Sequence, residues 1–122
     1  MELSIKERMT LFGMLPASGD IVTVKALREL RESIAISEEI KKEIGYSVKT
    51  GNVDGKEVSW TTFDVEKAKK LDEKNGMLDV MIPGVITALI VEILNEHANA
   101  KPKPTLRDEH IELWDKFVEG KV

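Results

Sequence analysis

The stretch "MIPGVITALIVEIL", residues 81–94, carries one charge in fourteen residues, whereas the whole chain is 33% charged. It falls short of the roughly 20 apolar residues that span a bilayer, so it must be covered by protein. At helical spacing, Val85, Ile86, Leu89, Ile90, Ile93 and Leu94 fill one half of the circumference. Thr87, Glu92, Asn95 and Glu96 mark the other half, where Ala88 and Val91 are the apolar exceptions. The pattern predicts a wide amphipathic helix from about Gly84 to about His97, lying at the centre of a core.

The segments before it must supply cover. In "SIKERMTLFGML", Ser4 and Glu7 have capping-box spacing, and Ile5, Met9, Phe12 and Leu15 recur at helical intervals. Pro16 and "PASGD" end that helix. "TVKALRELRESI" predicts a second helix capped by Thr23, with Leu27, Leu30 and Ile34 on one face. "SEEIKKEIG" predicts a short third helix, capped by Ser37 and stopped at Gly45.

After Gly45 the residues become β-branched and aromatic. "YSVKT" and "KEVSWTTF" predict a hairpin around the loop "GNVDG", with Tyr46 and Trp60 packed in the core or across the strands. "MLDVMI" alternates and predicts a third strand, while residues 64–76 fit either a helix or a charged loop. "ANAKPKP" breaks the chain before a last helix capped by Thr105. In that helix Leu106, Leu113 and Phe117 form a stripe, flanked by Ile111, Trp114 and Val118.

The expected architecture is therefore α+β in one domain over residues 1–122: an N-terminal three-helix segment, a small antiparallel sheet made of the hairpin plus a third strand, and two C-terminal helices. The chain has no cysteine, which removes disulfides and thiolate metal sites. "MELSIKER" lacks the apolar core of a signal peptide, and the expected location is cytoplasmic.

Charge is spread evenly, with 18 basic and 22 acidic side chains and a net charge of −4. No segment has the basic footprint of a phosphate binder, so nucleic acid is not the expected partner. His97 and His110 have no second ligand at a metal-site spacing, and neither a metal nor a cofactor is expected. Asp108, Glu109, Glu112 and Asp115 fit a solvated helix face, and no catalytic constellation is apparent. The order of three helices followed by a hairpin, over residues 4–62, also fits a winged helix-turn-helix. Glu38, Glu39 and Glu43 outnumber Lys41 and Lys42 in the helix that would meet DNA.

The segment "SIKERMTLFGMLPASGDIVTVKALRELRESIAISEEIKKEIG" resembles the N-terminal part of small hypothetical proteins encoded by bacteriophages and prophages, and "DEHIELWDKFVEG" resembles their closing helix. The resemblance implies an origin and assigns no functional residue. The expected function is that of a non-enzymatic interaction or accessory protein that self-associates or binds another protein; the alternative is a nucleic-acid-binding regulator of winged-helix type. A homodimer is expected, with Val91, Leu94, Trp114, Phe117 and Val118 as candidate interface residues.

Overall fold

The computed structural model describes residues 1–120. In chain order its elements are β1 (Glu2–Leu3), α1 (Ile5–Met14), α2 (Ile21–Ile34), α3 (Glu38–Glu43), β2 (Ser47–Val53), β3 (Lys56–Thr62), α4 (Val65–Asn75), β4 (Leu78–Asp79), α5 (Gly84–Ala98) and α6 (Asp108–Phe117). The class is α+β, with antiparallel strands. The chain forms two compact units: Met1–Ala35 together with the chain from Met77 onward, and Ile36–Gly76.

The first unit is held by one apolar cluster. Leu3, Leu11, Leu15, Leu27, Leu30, Ile34, Val80, Ile86, Ile90, Leu94, Leu113 and Phe117 are all buried in it. Local chemistry sets the helices that bring them together. Ser4 Oγ accepts the Glu7 N–H at 3.1 Å, and the Glu7 carboxylate accepts the Ser4 N–H at 2.9 Å, completing the expected capping box of α1. α2 starts earlier than the Thr23 cap would allow: Asp20 is the N-cap, and its carboxylate accepts the Thr23 N–H at 2.8 Å. An acidic cap next to a free helix N-terminus also meets the positive end of the helix dipole.

α5 is the apolar centre, as its composition requires, but its buried face is turned away from Val85. Ile86, Ile90 and Leu94 are fully buried, Leu89 and Val91 pack at the edges of the cluster, and Val85 is 57% exposed. A four-residue period along one line selects these three residues over the wider half-circle. α1 departs in the same way. Leu11 is fully buried, whereas Phe12 is 45% exposed.

The third strand exists, but it does not join the hairpin. β4 pairs antiparallel with β1, Glu2 opposite Asp79 and Leu3 opposite Leu78. Val80 N–H donates to the Met1 carbonyl at 2.8 Å, extending the contact by one step. The alternation of 77–82 is nevertheless as expected, with Val80 buried, Leu78 and Ile82 against the core, and Met81 exposed.

In the second unit, Ser37 caps α3 and Gly45 follows it at φ 66°, a left-handed position where glycine has no Cβ penalty. Residues 65–75 are helical as α4, capped by Asp64, whose carboxylate accepts the Lys67 N–H at 3.1 Å. The hairpin runs in continuous register from Ser47 opposite Thr62 to Val53 opposite Lys56. Its loop has two residues, not five: Asp54 and Gly55 take φ of 53° and 77°. Positive φ at both central positions is the turn whose twist matches that of the strands, so Gly51–Val53 join β2. α1 and α2 belong to the first unit, and α3 and the hairpin to the second.

Candidate functional site

The hairpin is a surface that the fold leaves open. No residue of β2 or β3 is buried. Cross-strand partners project to the same side of the ribbon. One face therefore carries Ser47 and Thr62, Lys49 and Trp60, Gly51 and Val58, and Val53 and Lys56. Ser47 and Thr62 confirm the facing with a hydroxyl–hydroxyl bond of 2.9 Å. The Trp60 ring lies over Gly51, so close that a Cβ there would stand 3.1 Å from it. Trp60 is thus packed across the strands and remains 47% exposed, outside any core. Val48, Val53 and Val58 are exposed as well. Tyr46 lies just before β2, half-buried, with Lys41 Nζ 4.9 Å from its ring centre.

The five helical residues expected at a subunit contact are placed differently. Leu94 and Phe117 are buried in the core of the first unit. Val91, Trp114 and Val118 are half-buried and pack against the same core. Val91 lies on the Leu94 side of α5, so its half of the helix is less polar in structure than by composition.

Two polar clusters in the first unit escape a reading by local spacing. The first is a buried ion pair. Glu7 is 4% exposed, and its Oε1 receives Lys116 Nζ at 2.8 Å. Lys116 also donates to the Glu2 carbonyl at 2.6 Å, which ties α6 to the N-terminus. Glu7 Oε2 is buried without a hydrogen-bond partner. The partners lie 109 residues apart in the chain, so no local pattern announces them.

The second cluster is the histidine pair. His97 follows the Ile86–Ile90–Leu94 line of α5, and His110 begins the line continued by Leu113 and Phe117 in α6. That continuation of an apolar stripe was the available signal that His110 faces inward. The rings stack at 5.0 Å between centroids, with 22° between planes. His110 Nδ1 accepts the Arg107 N–H at 3.0 Å. An accepting Nδ1 carries no proton, so the proton of the neutral ring sits on Nε2. That tautomer offers no free lone pair to a metal. Burial, then the positive charge His97 can carry, holds His110 below the ordinary histidine range, with Glu109 opposing and Arg107 adding to the effect. Thr105, expected to cap α6, instead donates its N–H to the His97 carbonyl at 2.8 Å, and its hydroxyl lies 2.8 Å from His97 Nδ1.

Among the described residues, no group of three or more His, Cys, Asp or Glu side chains is gathered as for a metal ion. No described helix is long and apolar enough to cross a membrane. Lys67, Lys70 and Lys74 of α4 line a surface groove with Leu71 and Glu43, whose carboxylate offsets the attraction of an anion. No protein-family model, curated protein or solved structure matches the chain.

Proposed function

We propose that this is a non-enzymatic accessory protein, cytoplasmic and of phage type, that works through self-association, with the outer edge of β3 as its contact. The observation that carries the reading is the hairpin exposed on both faces, with Val48, Val53, Val58 and Trp60 in solvent. A free two-stranded ribbon is marginal in water and gains from a third strand. Edges that avoid pairing usually carry a proline, a bulge or inward charges. The β3 edge has no proline, and its register has no bulge.

A second copy of the chain offers an identical edge, and twofold symmetry is the commonest way to join identical patches. Centred on Ser59, antiparallel pairing sets Val58 against Trp60 of the partner subunit and Glu57 against Thr61 of the partner subunit, with no like charges opposed. A two-residue loop closes on a hydrogen-bonded pair, and the alternation from Val53–Lys56 turns the Ser59 N–H outward. Ser59→Pro therefore blocks the edge without taking a bond from the hairpin.

Sedimentation equilibrium tests the reading. The expected result is a dimer of the 13.7 kDa chain for the native sequence and a monomer for Ser59→Pro, with unchanged circular dichroism. A monomeric native protein at tens of micromolar, or a Ser59→Pro dimer as tight as the native one, overturns it.

A further inference from the structure

The nine residues between α5 and α6 are pinned at their far end by the two histidines. Thr105 is held by His97 through its N–H and its hydroxyl, and Arg107 is held by His110 through its N–H. The Arg107 side chain has no acceptor, so the bond from His110 is the one side-chain element of a capping box that this helix start can have. His110 Nδ1 is therefore both the cap of α6 and the one atom of the neutral ring that can take a proton. Protonation there turns the acceptor into a donor facing a donor. It also puts charge on a buried ring stacked against a second histidine at 5.0 Å.

We propose that the stacked His97–His110 pair is a proton-operated clasp on residues 99–107, closed while His110 is neutral and released when its Nδ1 is protonated. Three charged groups bear on His110 from the helices around it. α5 contributes His97, and the start of α6 contributes Arg107 and Glu109, which pair with each other at 3.8 Å. α1, also packed on α6, brings Glu7, a carboxylate already engaged by Lys116 at 2.8 Å. Glu109 favours the charged ring, but exposed and shared with Arg107 it does not outweigh burial. A histidine held below its ordinary value contributes its full stability above the unfolded-state pKa. That stability is lost as pH falls through the folded-state pKa. Release therefore comes on mild acidification, while the apolar cluster that holds Leu94 and Leu113 stays packed.

The test is an NMR titration of the full chain from about pH 8 to about pH 5, reading both imidazoles and the amide-exchange protection factors. His110 should titrate below the ordinary histidine range. In the same step, protection at Arg107 and Thr105 should fall by roughly five- to tenfold, the scale of one net hydrogen bond. Leu94 and Leu113 amides should hold. His110→Gln supplies a non-titrating acceptor at the capping-box position, so its Arg107 protection should be independent of pH. His97→Ala removes the neighbouring charge and should raise the His110 midpoint. Unchanged Arg107 protection through the His110 midpoint overturns the proposal. So does a pH step that survives in His110→Gln, or simultaneous loss at Leu94 and Leu113, which would mean global unfolding.

Discussion

Leu113 in α6 and Val58 in β3 are both apolar residues, yet Leu113 is fully buried and Val58 is 37% exposed. The units that hold them explain the contrast. In the first, α1, α2, α5 and α6 present stripes to one another, and twelve residues close into a single cluster. In the second, Ile44 and Ala68 are the described apolar residues that are buried, and the hairpin has none. Four amphipathic helices can cover each other's stripes, whereas a two-stranded ribbon always has two faces and two edges to satisfy. A unit of about 40 residues sits at the size where a core alone rarely suffices. The two units thus use apolar residues for different ends: closure in one, an open surface in the other.

The sharpest way to break this comparison is to attack the closed unit at its buried charge. Lys116→Met leaves the Glu7 carboxylate without its cation, and the Glu2 carbonyl without a donor. Removing one partner of a buried pair costs about 3–5 kcal/mol, so urea melts should show the first unit strongly destabilised. Glu7→Leu combined with Lys116→Met should recover part of the loss, since it removes the uncompensated charge while the Ser4 N–H and the Glu2 carbonyl stay without their partners. A single-variant loss below about 1 kcal/mol would place the pair among surface bridges.

The next test addresses the direction of α5. Ile90 is fully buried and Val85 is 57% exposed, although composition puts both on one apolar half. Ile90→Ala should cost roughly 2–5 kcal/mol through lost transfer energy and a cavity. Val85→Ala should stay within about 0.5 kcal/mol. Equal costs would return Val85 to the core.

What could be seen in the sequence follows from range. Features set within one turn were legible: the Ser4–Glu7 box, the Ser37 cap, the Gly45 stop, and the stripe Leu27–Leu30–Ile34 that ends up buried. Features set by distant partners were not. β1 has two residues, too few for any period, and its partner β4 lies 77 positions on from Glu2 to Asp79. Glu7 looked like an ordinary cap because Lys116 lies at the other end of the chain. The hairpin was found, but its exposure was not: alternation describes which residues share a face, and says nothing of whether another layer covers it. For the same reason the candidate contact at Val91, Leu94, Trp114, Phe117 and Val118 could not be separated from core, since an apolar stripe looks alike in both settings.

The smallest effect expected is at Gly51, and it probes the open unit directly. A Cβ there would lie 3.1 and 3.2 Å from two atoms of the Trp60 ring, tighter than ordinary contact. In a closed core such an insertion forces neighbours off their rotamers and destabilises. Trp60 is 47% exposed, so its ring can tilt outward into solvent. Against that small cost stands the lower entropy loss of alanine, about 0.5–1 kcal/mol relative to glycine in a strand. Gly51→Ala should therefore be neutral to slightly stabilising for the hairpin, by less than about 1 kcal/mol. The displaced ring should report the change as red-shifted emission, read in a Trp114→Phe background because the chain has two tryptophans. Hairpin amide exchange supplies the stability. A loss above about 1 kcal/mol would show Trp60 wedged over Gly51 as tightly as a core side chain. The open face would then be a packed one, and the contrast between the two units would shrink to a difference in size.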